Sequence, residues 1–75
     1  MPQVVVKLWP GRSEEQKAKL TEAIVKDVMT YLQSSEASVS VTIEEVKREE
    51  WTEQVYNPDI QGKWDKLYKK PGYKP

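Results

Sequence analysis

The sequence predicts an α/β fold: a βαβ unit with parallel strands, followed by a C-terminal helix. Three observations predict it. Residues 3–9 alternate as a strand, residues 14–33 carry an apolar stripe at helical spacing, and residues 38–46 alternate again. A strand, a long helix and a second strand in that order imply parallel pairing through a right-handed crossover.

In the first strand Val4, Val6 and Leu8 fall on one face and Val5, Lys7 and Trp9 on the other. Both faces hold large apolar groups, so both are expected to meet protein. Pro10-Gly11 then turns the chain. Ser13 followed by Gln16 is a capping-box pattern, with Glu14 and Glu15 in the first turn where the helix dipole favours acids. Leu20, Ile24, Val28 and Leu32, with Tyr31 alongside, form the expected buried stripe, and Ser34-Ser35 ends the helix. In the second strand Val39, Val41 and Ile43 alternate with Ser40, Thr42 and Glu44. Residues 47–57 read as an irregular connection holding Trp51 and Tyr56. Asn57 is expected to cap a final helix with Pro58 at its first position. Ile60, Trp64, Leu67 and Tyr68 give that helix an apolar stripe despite Gly62, and Pro71-Gly72 stops it.

The chain has 75 residues, enough for one domain over 1–75. A domain this short buries only about 60% of the surface its unfolded chain exposes. With no Cys and no His, it has neither disulfides nor an ordinary zinc, copper or haem site to brace it. A nucleophile working with a histidine base is excluded as well. A partner chain is the remaining brace, and the bare outer face at Val5 and Trp9 is where one would sit. The charges balance at 12 basic and 12 acidic residues, with an isoelectric point near 6.3. That argues against a dedicated binder of nucleic acid or anionic membrane. No apolar run is long enough to span a bilayer, and Lys7 interrupts the apolar Val4-Val5-Val6 where a signal peptide would continue. A cytoplasmic protein is the expectation.

Three segments carry a family resemblance: Met1-Pro2, the run Gly11-Arg12-Ser13-Glu14-Glu15-Gln16-Lys17, and the strand from Ser38 to Val46. Together they resemble the 4-oxalocrotonate tautomerase family over residues 2–51. The stretch from Trp51 through Lys69-Lys70-Pro71-Gly72-Tyr73 resembles the longer PptA-type tautomerases. The resemblance implies a cofactor-free isomerase that moves a proton between enol and keto forms, with Pro2 as the catalytic base and acid. Removal of Met1, which a small second residue favours, would leave Pro2 as a secondary amine. A free α-amino group titrates at about 7.7–8.0, and apolar burial or a nearby cation disfavours its charged form. That suits a general base. With Met1 attached, the nitrogen is an amide and is not basic.

The resemblance also implies substrate-binding roles. Arg12, at the turn into the helix, would clamp a carboxylate with its planar fork, beside backbone donors of the helix N-terminus. Trp51 falls where the family carries an aromatic residue and would wall the pocket. Ser40 stands where the best-known members carry a second substrate-binding Arg. A monocarboxylate such as an arylpyruvate enol therefore fits better than a dicarboxylate. Glu53 has the spacing of the water-activating Glu in hydratase and dehalogenase members, which is an alternative activity. Another alternative is an assembly protein that kept only the fold. Plainer readings stand beside each residue. Pro opens strands, Arg12 can pair with Glu14 or Glu15, Trp51 can be core, and Glu53 can be solvated. Pro2 and Arg12 bracket the first strand, about 20 Å apart at strand rise, so they cannot meet within one chain. Antiparallel pairing of two first strands would bring Pro2 of one chain to Arg12 of the other. The short family members are hexamers built as trimers of dimers. Here the extra helix with Trp64 and Leu67 is expected to cover the trimerising surface, so a homodimer is favoured over a hexamer.

Overall fold

The computed structural model describes all 75 residues. Strand β1 (Gln3–Leu8) and strand β2 (Ser40–Glu45) form a two-stranded parallel sheet, connected by helix α1 (Glu14–Leu32). Gln3 lies opposite Ser40 and Leu8 opposite Glu45, so Val4 meets Val41 and Val6 meets Ile43. These four valine and isoleucine side chains are half-buried and share one face, as period-two alternation requires. The ladder continues beyond both ends. The Ser40 N–H donates to the Pro2 carbonyl at 3.2 Å, and the Val46 N–H donates to the Leu8 carbonyl at 2.8 Å.

Helix α1 begins where its capping pattern places it. The Ser13 hydroxyl accepts from the Gln16 N–H at 3.0 Å, and the Gln16 side-chain oxygen accepts from the Ser13 N–H at 2.9 Å. Two otherwise orphaned donors are thereby satisfied. Gly11 sits at φ 121°, where a side chain would be strained, so the turn from β1 into α1 depends on a glycine there. Gln33 ends the helix in the left-handed region at φ 54°.

The buried stripe of α1 is rotated from the expected one. Thr21, Ile24, Val25, Val28 and Met29 are half-buried, whereas Leu20 is 42% exposed, Leu32 63% and Tyr31 81%. For Tyr31 and Leu32 the reason is length. Nineteen helical residues span about 28 Å, and six strand residues span about 20 Å. The last turn of α1 overhangs the sheet, and its apolar side chains find nothing to cover them.

The C-terminal part differs more from expectation. Residues 47–57 are not irregular: helical turns begin at Arg48–Glu50, continue as a π-helix over Thr52–Ile60 and tighten to a 3-10 helix over Gln61–Lys66. Pro58 lies inside this run and is not at its start. It has no N–H to give, and its ring crowds the carbonyl four residues back. A tight α pitch is disfavoured there, and the chain winds wider. The Gln61 N–H reaches both the Tyr56 and the Asn57 carbonyls. Burial explains why the helix starts so early. Val55 and Tyr56 are the two buried residues of the whole chain, at 5% and 7% exposure, and they anchor this segment regardless of the Asn57-Pro58 signal. Gly62 follows because a Cβ there would come within 3.0 Å of the Asn57 carbonyl.

The segment lies against the outer face of β1. Lys7 donates to Asp59 at 2.9 Å, Trp9 meets Trp51 edge to face, and Val5 and Val55 line one small cavity. The covering residues are thus Trp51, Val55 and Asp59. Trp64 stays at the surface with the Lys70 ammonium 5.6 Å above its ring. Removing the cap tests how far α1 depends on its first turn. Ser13→Ala should lower unfolding free energy by about 1 kcal/mol, read as a lower urea midpoint with unchanged slope.

Candidate active site

One end of the sheet carries an aromatic cavity of about 500 Å³. It is lined by the chain from Lys7 to Arg12, by Trp51 and by Tyr73, a size and character suited to a small organic ligand. Strand β1 delivers Lys7 and Leu8, and the Pro10-Gly11 turn swings Arg12 to the rim. The helical turns after Val46 deliver Trp51. The rings of Trp9 and Trp51 stand 6.4 Å apart at 85°, a favourable edge-to-face arrangement. The Arg48 guanidinium covers the Trp9 ring at 4.2 Å, a cation–π contact that fixes that ring from the other side.

Two cations line the cavity, and their circumstances differ. The Lys7 ammonium is committed to Asp59 at 2.9 Å, with Lys63 a further 3.9 Å from the same carboxylate. The hydrogen bond from Lys7 holds the Asp59 carboxyl below its ordinary value. The same bond raises Lys7 above its own, against the opposing effect of partial burial. Arg12 has no ion-pair or hydrogen-bond partner. The acids that follow it are occupied: Glu14 pairs with Lys17 at 3.2 Å and Glu15 with Lys19 at 3.1 Å. Lys17 also holds Glu45 at 2.7 Å, which ties the first turn of α1 to the end of β2 and raises the Lys17 pKa. The pairing of Arg12 with Glu14 or Glu15 is therefore not formed, and its fork is free to take an anion.

The sequence-derived residues separate into two groups. Pro2 and Ser40 lie side by side at the start of the sheet, joined through the backbone bond noted above. Arg12 and Trp51 lie together at the other end, in the cavity. The length of β1, about 20 Å, divides the groups. Glu53 is exposed on the π-helix and does not line the cavity. No cluster of three or more His, Cys, Asp or Glu side chains is placed to hold a metal ion.

Three cavity features escaped the sequence. Trp9 reads there as an outward strand residue, but it closes a wall. Arg48 belongs to none of the motifs, but it braces Trp9. Tyr73 follows the Pro71-Gly72 stop, yet its hydroxyl accepts from the Trp51 indole N–H at 2.9 Å and its ring lies 5.7 Å from that of Tyr56. The aromatic residues themselves were visible; which of them converge was not.

Comparison with known proteins defines the class. Residues 2–55 match the family described as Tautomerase enzyme. A probable tautomerase of Xylella fastidiosa (strain 9a5c) is 38% identical over 73 residues, covering 97% of this chain and 89% of that protein. A tautomerase PptA of Enterobacter sp. (strain 638) is 39% identical over 74 residues, covering 97% of both. Among solved structures, the 4-oxalocrotonate tautomerase homologue YwhB superposes with a TM-score of 0.61 at 38% identity, over 63% of this chain and 77% of that one. A heterohexameric 4-oxalocrotonate tautomerase from Chloroflexus aurantiacus J-10-fl gives 0.65 at 31% identity, over 68% and 82%. The chain belongs to the tautomerase family, and its fold is that of the 4-oxalocrotonate tautomerase homologues. It is an enzyme of the isomerase type. No helix is long and apolar enough to cross a membrane.

The Lys7–Asp59 pair has a definite pH signature. Asp59 is depressed, so its contribution is present above its ordinary value of 3.8 and is lost as pH falls through the lower folded value. Lys7 is raised, so its contribution is present below its ordinary 10.5 and is lost as pH rises through the higher folded value. Between those limits the pair is intact. Asp59→Asn should therefore show a smaller loss of urea midpoint between pH 7 and pH 3 than the parent protein. Equal losses would mean that other carboxylates set the acid limit.

Proposed function

We propose that the protein catalyses cofactor-free keto–enol tautomerisation of a 2-hydroxy-enoate or arylpyruvate enol, as a homodimer with shared sites. The observation that carries this reading is the unpaired Arg12 at the rim of an aromatic cavity, one strand length away from Pro2 of the same chain. With Lys7 neutralised by Asp59, Arg12 is the one cation left to hold a substrate carboxylate, bidentately and with charge assistance. One arginine suits one carboxylate. The flat apolar walls of Trp9 and Trp51 suit a conjugated or aryl substituent. Ser40, beside Pro2, would offer a neutral hydroxyl to the enol end.

Once Met1 is removed, Pro2 presents a secondary amine. Its free base takes the enol hydroxyl proton, the electron pair of that O–H bond forms the carbonyl, and the C=C π pair it displaces onto carbon takes the proton back from the Pro2 ammonium. The cycle leaves the enzyme unchanged and needs no redox partner. Strand β1 is paired on one side only. Two such edges paired antiparallel about a twofold axis would bring Pro2 of the partner subunit to the Arg12 cavity. The near absence of buried residues in the single chain supports a need for that partner. The C-terminal segment on the outer face of β1 favours a dimer over a hexamer, because it occupies a surface that further dimers would need.

Arg12 gives a direct test. Arg12→Ala should lower kcat/KM for the phenylpyruvate enol by roughly tenfold to hundredfold, the loss of a charge-assisted pair worth about 1.5–3 kcal/mol. Arg12→Lys should be nearly as poor, since an ammonium lacks the planar fork. Both losses should disappear with the neutral ester of the same substrate. Equal losses on acid and ester would remove Arg12 from the binding site.

Site sharing has its own test. Pro2→Ala and Arg12→Ala proteins are each impaired at both sites of their homodimers. Co-refolded together, they form mixed dimers with one intact site, so about a quarter of all sites should recover, by random pairing across an isologous interface. A mixture no more active than its components would place Pro2 and Arg12 in separate sites.

A further inference from the structure

Trp51 needs something to hold it, because an indole standing at the mouth of a cavity can turn about two side-chain bonds. Its edge-to-face contact with Trp9 limits that motion from one side. From the other side its N–H is taken by the Tyr73 hydroxyl at 2.9 Å. The bond is open to solvent, and an indole N–H is a donor only, so the Tyr73 hydroxyl is the protein group that fixes its direction. Tyr73 is itself fixed, since its ring leans on Tyr56 at 5.7 Å and 52°, and Tyr56 is one of the two buried residues of the chain. The buried anchor, the tail tyrosine and the cavity tryptophan therefore form one connected chain of contacts: Tyr56 to Tyr73 to Trp51. Tyr73 also lines the cavity that holds Arg12. It lies in a tail without regular structure, beyond residue 55 where the family match stops, so that match says nothing about it.

We propose that Tyr73 is a positioning and specificity residue of the substrate cavity, setting the orientation of Trp51 and thereby the width of the slot that receives the part of the substrate away from its carboxylate. This rests on the cavity being the carboxylate-substrate site. Without the Tyr73 hydroxyl, the Trp51 indole N–H is left to water and the ring is free to turn. The flat wall it presents to the cavity is then no longer held in one orientation. A flat aryl group suffers from that change, because it needs the whole wall. A short substrate held by its carboxylate at Arg12 does not reach that far. Tyr73 thus acts on recognition of the distal group and leaves proton transfer at Pro2 untouched.

The test uses Tyr73→Phe, which keeps the ring against Tyr56 and removes only the acceptor, with Tyr73→Ala as the larger change. Two readouts are needed. One is binding of 3-phenylpropanoate and of propanoate by titration calorimetry, which requires no turnover. The other is KM and kcat for the phenylpyruvate enol and for a short aliphatic 2-hydroxy-enoate. Tyr73→Phe should weaken 3-phenylpropanoate binding by about threefold to tenfold, the range for one lost hydrogen bond. KM for the aryl enol should rise in step, while kcat and the short substrate change little. In a Trp51→Phe background, where no indole N–H remains, Tyr73→Phe should add nothing further. Tyr73→Ala should exceed Tyr73→Phe on the aryl ligands.

The inference fails if Tyr73→Phe binds 3-phenylpropanoate as tightly as the parent, if both substrates lose equally, or if its effect persists unchanged in Trp51→Phe. It stands, and the tautomerase assignment of this cavity falls, if the parent turns over neither enol while 3-phenylpropanoate still binds in a Tyr73-dependent way. It falls together with that assignment if the parent neither binds the aryl acid nor turns over an enol.

Discussion

A two-stranded parallel sheet has two faces and two edges, and one helix can cover only one face. That shortage of cover governs the rest of this molecule. Helix α1 takes the face of Val4, Val6, Val41 and Ile43 and overhangs it. The opposite face, with Val5, Lys7 and Trp9, recruits the C-terminal segment through Val55, Asp59 and Trp51. Even so, only two residues are buried and none completely, far from what a stable small domain needs. The free edge of β1 and the uncovered apolar side chains on α1 are what remains for another chain to cover. In the proposed homodimer, assembly would complete the site as well as cover the fold.

The same economy explains the electrostatics of the cavity. Salt bridges at a surface contribute little to stability, but here they decide which charges stay available. Lys17 and Lys19 absorb the acids of the first turn, and Lys17 also caps the Glu45 end of β2. Asp59 absorbs Lys7. Of the two cations that line the cavity, the one left unpaired is Arg12, carried by a turn that depends on Gly11. The site is defined by subtraction: Asp59 cancels Lys7, Arg48 is spent on the Trp9 ring, and the Arg12 fork remains.

The aromatic side of the cavity is built from distant parts of the chain. Trp9 comes from the end of β1, Trp51 from the turns after β2, and Tyr73 from the tail. Each is held by a different kind of contact: a guanidinium over Trp9, a hydrogen bond to Trp51 and a tilted ring beneath Tyr73. None of these is strong alone. Together they fix three rings in a small molecule with almost no interior.

By itself the sequence determined the βαβ order, the parallel pairing of the two strands, the capping box at Ser13 and Gln16, and the family; the register of Val4 with Val41 and Val6 with Ile43 came from the structure. All but the family follow from local periodicity and from side chains three or four residues apart, which act on the backbone before any tertiary contact forms; the family follows from the resemblance of three motifs. It also singled out Pro2, Arg12, Ser40 and Trp51 through a motif. Only the tertiary structure decided the rest. Asn57-Pro58 is a good local start for a helix, yet burial of Val55 and Tyr56 began the helical turns earlier and left Pro58 inside. Leu32 and Tyr31 fit the helical stripe, yet the sheet is too short to reach them. Tyr73 follows a clear stop signal, yet it returns to Trp51, because its ring packs on the buried Tyr56 and its hydroxyl accepts from the indole N–H. In each case a local preference of about a kilocalorie per mole yielded to burial and hydrogen-bond demands that arise only when distant segments meet.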